Sequence, residues 1–327
     1  MSSARQQDAT LLGELFSARG QFVARRELAR AAKVPVGDLE RHFAPYIQAG
    51  YPIQFHPQRG VGLQETPDIW CAEEIAGRCL HSDADAPKWD PLLLAKTSST
   101  NDVAREQGRK GAKGGFLVAA SRQTKGRGRL GRDWESPPDR GLYVSILLRP
   151  NLPMIEAGRL TILSSIATAD AVDAVSGLRP RIKWPNDLMI GTRKLAGLLI
   201  ETEPKGKRLA FAVIGIGLNV RHEAADFSPE VRSRATSLFM ATKQMHRRAD
   251  VLVALLKALE RRLSQPFDEV REAWTASSLT LGQRVTLTTA RGVKHGQAVG
   301  LDESGALLLR GNSGEVETVT AGDMQAC

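Results

Sequence analysis

The chain has 327 residues, 42% of them hydrophobic and 25% charged, a balance that excludes wholesale disorder and suffices for two or three separately cored domains. Its formal charge of +9 points to an anionic partner, nucleic acid or a phosphate-bearing ligand, without choosing between them. The three cysteines, Cys71, Cys79 and Cys327, are odd in number and lack C-x-x-C pairing, which argues against a zinc knuckle or redox pair and for reduced thiols. The N-terminus carries no apolar run of signal-peptide type, and no 18-residue apolar span occurs, so the sequence reads as cytoplasmic with no membrane partner.

Residues 9 to 64 read as a helical unit followed by a hairpin. Leu11, Leu12, Leu15 and Phe16 share one helical face, and Leu28, Ala29 and Ala32 share another. A turn around Lys33 to Val36 leads into Pro35, which is tolerated in a first helical turn. Tyr51 to Leu63 then alternates through a turn containing Gly60, so 1–65 is expected to be a winged helix-turn-helix. Residues 66–90, with Asp83, Asp85 and Pro87 after a short helix, are expected to be a linker.

From 91 onward, strands are expected at Phe116–Ser121, Leu142–Arg149, Arg181–Trp184, Lys194–Glu203 and Arg208–Val220. Helices are expected at Ile155–Val175, Ala249–Leu263 and Phe267–Ser277. Strands and helices without regular alternation predict an α+β domain over 91–277. Short alternating strands joined by glycine turns predict a small β-barrel over 278–327, in which no residue stands out as catalytic.

Two stretches carry chemistry. Residues 126–132, GRGRLGR, contain G-x-G-x-x-G, but Pro137 and Pro138 forbid the helix that a dinucleotide-binding turn requires, and no Gly-Lys-Ser/Thr ends the run as in a P-loop. What remains is a loop whose glycines let backbone N–H groups approach an anion while Arg127, Arg129 and Arg132 add charge. Taken alone it also reads as a solvated basic loop. Residues 183–187, KWPND, end a strand and set Asn186 and Asp187 at a turn; Lys194 then opens KLAGLLIE, where Gly197 suggests that something packs against the backbone. Taken alone this reads as a hairpin with one exposed lysine. Trp134 reads either as a ligand wall or as core packing, with the core the expectation. The six histidines show no metal-ligand spacing and no Ser-His-Asp or Cys-His arrangement is evident, so neither a metal site nor an enzyme nucleophile is assigned.

Together, SSTN at 98–101, Q-x-x-GRGRLGR at 123–132, KWPNDLMI-x-x-x-KLAGLLIE at 183–201 and GIGLNV at 215–220 resemble the catalytic domain of biotin protein ligases. The front unit resembles that of the biotin-operon-repressor form, and the last segment resembles the family's C-terminal domain. The resemblance implies a class II synthetase-like ligase domain with a mixed sheet, ending in an SH3-like barrel. It implies activation of biotin by ATP and Mg2+ to biotinyl-AMP and transfer to a lysine of a biotin carboxyl carrier domain.

Residue by residue, it implies that Ser99, Thr100, Asn101 and Gln123 line the biotin pocket and that Gly126, Arg127, Gly128 and Arg129 contact biotin and adenylate. Lys194 would reach the biotin carboxylate and α-phosphate. Lys183, Asn186 and Asp187 would lie near the acyl-phosphate, Gly197 would contact biotin or adenylate, and Asn219 would lie on the nucleotide side. Lys194, Arg129 and Asp187 are the catalytic candidates, with Asp187 orienting either the carrier lysine or a magnesium ion. The resemblance also implies a repressor that binds operator DNA through Arg25, Arg26, Arg30, Lys33 and Arg41, and leaves open a homodimer on adenylate binding. Pro45, Asp38 and Glu40 depart from a typical recognition helix, so a winged helix that merely steadies the ligase is the other reading. A lipoate-type ligase would lack the paired loop and KWPND blocks. A ligand-sensing regulator without ligase activity is the remaining alternative.

Overall fold

The computed structural model describes residues 3–80, 87–290 and 292–326; Asp83 and Asp85 of the expected linker, and Cys327, lie outside them. The chain begins with α1 (Ser3–Ser17), β1 (Phe22–Val23), α2 (Arg25–Ala32), α3 (Leu39–Gln48), β2 (Ile53–His56) and β3 (Gly60–Leu63). The apolar faces read from the sequence meet as one cluster, in which Leu11, Leu12, Leu15, Leu28, Leu39 and Phe43 are buried. The strands form an antiparallel sheet in the order β1-β3-β2, whose two-residue first strand is too short to show in an alternation pattern. Pro45 does not end α3, which runs three residues beyond it. The carbonyl that would bond the missing N–H belongs to Arg41, on the exposed side of the helix.

Within 66–90 lies α4 (Ala72–Arg78), which is more than a tether. Its Ile75 is fully buried in the main core, and its Gly77 meets α1 so closely that a Cβ there would stand 2.0 Å from the Ala9 carbonyl oxygen.

Next come β4 (Asp90–Leu94), α5 (Thr100–Arg109), β5 (Phe116–Ala120), β6 (Gly141–Leu148), α6 (Gly158–Ser176), β7 (Arg181–Lys183), β8 (Asp187–Ile190), β9 (Arg193–Lys205) and β10 (Arg208–Asn219). The seven strands form one mixed sheet, β4-β5-β6-β10-β9-β8-β7, in which only the β4–β5 pair is parallel. β4 contains Pro91, which cannot donate to a ladder and is accommodated because β4 is an edge strand. After β10 follow α7 (Pro229–Arg232), α8 (Leu238–Thr242), α9 (Arg248–Leu263) and α10 (Phe267–Ser277).

Alternation along β10 decides what lies on each face. Ile214, Ile216 and Leu218 join Ile162 and Ile166 of α6, Leu252 and Leu256 of α9 and Trp274 of α10 in the main core. Phe211 and Val213 point the other way, against Ala104 of α5. Gly215 and Gly217 continue that second row without side chains, and the cavity described below opens there. The last segment, β11 (Arg284–Thr289), β12 (Gly292–Leu301), β13 (Leu307–Arg310), β14 (Val316–Val319) and β15 (Asp323–Ala326), is an antiparallel sheet in the order β14-β13-β12-β11-β15. Its buried Val285, Leu287 and Leu307 are continuous with the main core.

Candidate active site

A cavity of about 830 Å³ lies over the ends of β8, β9 and β10, between the 126–132 loop, α7 and β15. Its lining includes Ser99, Thr100, Asn101, Gln123, Arg127, Gly128, Arg129, Lys183, Asn186, Asp187, Lys194, Gly197 and Asn219. Every ligand-site residue expected from the sequence is therefore at one place except Gly126, which sits behind the wall; a Cβ on it would come within 2.3 Å of the Trp134 carbonyl oxygen.

The floor is a row of glycines. Gly197 of β9 faces Gly217 of β10 directly in register, and the Trp134 indole lies across both. A Cβ at Gly217 would stand 2.4 Å from Trp134 Cε2, and one at Gly197 3.0 Å from its Cζ3. The packing partner that Gly197 suggested is thus Trp134, and the assignment of Trp134 to the core is corrected: it is half-buried and forms a cavity wall. Two bare glycines create a slot at the surface of the sheet, and the indole fills it.

On that wall stands Lys194, its Nζ 5.3 Å from the Trp134 ring centre and 2.7 Å from Asp187 Oδ1. Asn186 is fixed by its Nδ2, which donates to the Leu198 carbonyl at 2.6 Å, and its Oδ1 lies 3.4 Å from Arg129 Nη1. Arg129 is half-buried; burial lowers its pKa from the ordinary guanidinium value, opposed by the carboxylates of Asp187 and Asp323. Asn219 is buried, with Nδ2 donating to the Thr236 carbonyl at 2.9 Å, and the backbone of Lys194 pairs with Arg234 and Thr236. These bonds hold the segment after α7 against the cavity.

The opposite end is a run of neutral polar groups. Gln123 Oε1 accepts from the Thr100 backbone N–H at 2.9 Å and lies 3.1 Å from Thr100 Oγ1, while its Nε2 donates to Ser136 at 3.0 Å. Ser145 Oγ donates to Asn101 Oδ1 at 2.6 Å and lies 2.7 Å from Thr100 Oγ1. The polar start of α5 thus projects Ser99, Thr100 and Asn101, all nearly inaccessible to bulk solvent, into a pocket whose hydrogen bonding is already ordered.

The 126–132 loop is a tight structure. Trp134 N–H donates to Gly126 O and Gly128 N–H to Arg132 O, with Leu130 in the left-handed region at φ 56° and exposed. The Arg127 guanidinium is forked onto Asp102 of α5 at 2.6 and 2.8 Å, which holds the Asp102 carboxyl below its usual range. Arg132 pairs with Asp323 of β15. Asp323 lies below the usual carboxylate range for that reason first, with Arg129 and Lys183 adding to the effect. Sequence reasoning missed Asp323 and Met324 as cavity residues; nothing in a terminal alternating strand signals which residue the docked sheet turns inward.

The residues expected to contact DNA lie away from the cavity. Arg26, Arg30 and Lys33 are exposed on or at the end of α2. Arg25 stacks over Phe55 with its guanidinium carbon 5.3 Å from the ring centre, and lies 3.8 Å from Glu40. Arg41 pairs with Asp38 at 2.9 Å. Among the described residues no group of three or more His, Cys, Asp or Glu side chains is placed to hold a metal ion, and no helix is long and apolar enough to cross a membrane.

Residues 93–219 match the model of the biotin/lipoate A/B protein ligase family, and 280–325 that of the biotin protein ligase C terminal domain. The bifunctional ligase/repressor BirA of Bacillus spizizenii is 30% identical over 95% of this chain and 96% of its own. A biotin–[acetyl-CoA-carboxylase] ligase of Paracoccus denitrificans is 33% identical over 68% of this chain and 95% of its own. Among solved structures, the biotin protein ligase from Aquifex aeolicus in complex with biotin and ATP superimposes with a TM-score of 0.61 at 29% identity, covering 72% of this chain and 97% of that one. Two matched domains of the family, and a 30% identical relative followed almost end to end, lead to one conclusion: the chain belongs to the biotin protein ligase family.

Proposed function

We propose that the cavity activates biotin with ATP to biotinyl-AMP and then transfers biotin to a lysine of a biotin carboxyl carrier domain. The observation that carries this reading is the convergence of Lys183, Lys194 and Arg129 on one end of a cavity whose other end is the ordered polar pocket of Ser99, Thr100, Asn101 and Gln123. In the first step a biotin carboxylate oxygen bonds to the α-phosphorus of ATP and the bond to pyrophosphate breaks. Two anions must approach, so fixed cations are what the step requires. Lys194 is assigned to the biotin carboxylate and α-phosphate, with Arg129 and Lys183 beside it. Gly126, Arg127 and Gly128 shape the loop over the acyl-adenylate, and keep water from the mixed anhydride.

In the second step the carrier amine bonds to the acyl carbon and AMP leaves. Asp187, 2.7 Å from Lys194, is assigned to orient that amine. Asn186, Gly197 and Asn219 complete the adenylate side. Magnesium enters as the ATP complex, consistent with its habit of keeping phosphate and water ligands and needing one or two protein carboxylates at most.

Residues 1–65 are assigned as a winged helix-turn-helix, 66–90 as the connection, 91–277 as a class II synthetase-like ligase domain and 278–327 as an SH3-like barrel. The order β1-β3-β2 behind three helices and the five-stranded terminal sheet support these assignments. The bifunctional relative and the exposed Arg26, Arg30 and Lys33 support a biotin-responsive repressor acting on operator DNA; a homodimer on adenylate binding is part of the same proposal. The direct test is biotin-dependent exchange of labelled pyrophosphate into ATP, with lipoate as the control. Exchange with biotin alone is expected; its absence from folded protein would favour a ligand-sensing regulator.

A further inference from the structure

Glu201, the last residue of KLAGLLIE, does not line the cavity, yet two side chains that do, Asn101 and Arg127, converge on its carboxylate together with Arg105 of α5. Asn101 Nδ2 donates to Glu201 Oε2 at 2.6 Å. Arg127 Nη2 lies 3.7 Å from the same oxygen and Arg105 Nη1 3.4 Å from the other.

The important partner is Asn101. A side-chain amide has one accepting and one donating end, nearly equal in shape, and which way it points is decided by its neighbours. Around Asn101 the choice is one-sided. An ionised carboxylate only accepts, so Glu201 requires the NH2 end; the Leu199 carbonyl, 3.4 Å from Nδ2, adds to that preference. Oδ1 is thereby turned to Ser145 Oγ and into the space left by Gly215, where a Cβ would stand 2.2 Å from it. Ser145 adjoins Thr100, and Thr100 adjoins Gln123. One charge outside the cavity therefore sets the donor and acceptor direction of the polar pocket inside it.

We propose that Glu201 is a positioning residue for the carboxylate substrate's pocket: it fixes the Asn101 amide in one of its two orientations and so presents a single hydrogen-bonding pattern to biotin. Without it the amide divides between two orientations, and apparent affinity falls by the fraction that points correctly. The inference rests on the reading of this cavity as the biotin site.

The test measures KM for biotin and for ATP in pyrophosphate exchange by the full chain. It compares wild type with Glu201→Ala, with Glu201→Met, which keeps the length but has no oxygen, and with Glu201→Gln, which retains an acceptor. In Ala and Met, KM for biotin is expected to rise about twofold, the loss when the amide is shared evenly between its two orientations. KM for ATP should stay at the wild-type value, and Gln should return KM for biotin to it. Should Ala fail to fold, Met carries the comparison. Unchanged KM for biotin in a folded Ala or Met variant overturns the proposal, as does a loss of kcat shared by all three variants with both KM values unmoved. Failure of wild type itself to exchange with biotin would instead overturn the function assigned to the cavity.

Discussion

Lys194 gains its setting from three neighbours of different kinds: a carboxylate at 2.7 Å, an indole face at 5.3 Å and backbone pairing with the 234–236 segment. The first two hold an ammonium group in place before any anion arrives, so little reorganisation is needed when charge develops. Lys194→Ala should lower adenylate formation by about 10²-fold or more, measured as pyrophosphate exchange, while the far-ultraviolet circular dichroism stays unchanged. Gly217 is a second residue whose role is spatial. The 2.4 Å approach of a Cβ to the indole cannot be absorbed by a flexible side chain, since the contact is with a ring. Gly217→Ala should tilt Trp134 away from the floor and shift its fluorescence. Overpacking of this kind costs about 1–3 kcal/mol, so KM for both biotin and ATP should rise. A variant with wild-type emission and unchanged KM values would remove Trp134 from the wall.

At the scale of elements, the 126–132 loop and the segment after β10 behave differently. The 126–132 loop is tied to α5 through the Arg127–Asp102 fork. Asp102→Asn keeps the shape but halves the pairing, and should increase leakage of biotinyl-AMP, seen as faster AMP production without carrier, by about three- to tenfold. Beyond β10, His222 is fully buried, stacks on the cavity residue Phe227 with ring centres 4.9 Å apart, and has Nε2 3.2 Å from the Tyr143 hydroxyl. That hydroxyl donates to the Pro137 carbonyl, so it accepts from His222 Nε2–H and leaves Nδ1 unprotonated and without a partner.

Burial pushes the His222 pKa down to about 4. The unfolded chain, with an ordinary histidine value, binds this proton first. Stability from His222 is therefore complete above about pH 6.5 and is lost as pH falls towards 4, by about 3 kcal/mol. His222→Gln should flatten the dependence of Tm on pH within that window. The elements most legible in the sequence were those with apolar repetition: β5, β6, β9, β10, α6, α9 and α10. Helix α5 was not legible as a helix, because Thr100, Asn101, Ala104 and Gly108 form its buried face and only one of them is a hydrophobic residue. The site was legible because its residues stand in short blocks along the chain. Trp134 as a wall, Asp323 and the role of Glu201 required knowing which strands lie side by side.

For the molecule as a whole, the front unit is less separable than a linker at 66–90 suggested. Tyr51 donates to Glu74 at 2.7 Å, and Glu74, fully buried, also meets Arg78 and Arg247. Arg78 and Arg247 both pair with Asp250 of α9. This network joins the front unit, α4 and the ligase body. Asp68 pairs with Arg221, two residues beyond Asn219, which brings the same junction close to the cavity. Removing one member of a buried charged network leaves the others unsatisfied and costs about 3–5 kcal/mol.

Deletion of residues 1–64 removes Tyr51 and the α1 surface against which Gly77 packs, yet leaves every cavity residue in place. The truncated chain should keep pyrophosphate exchange at moderate temperature and lose several degrees in Tm. The separate contribution of the polar contact is read from Tyr51→Phe in the full chain, which keeps the ring and removes one hydrogen bond. Its Tm should fall less than that of the truncation, and its exchange rate should equal that of wild type. Equal Tm for truncated and full chains would show the front unit to be an independent attachment. Loss of exchange in the folded truncated chain, which retains Asp68 and Arg221, would show that the front unit itself holds the cavity in its working geometry.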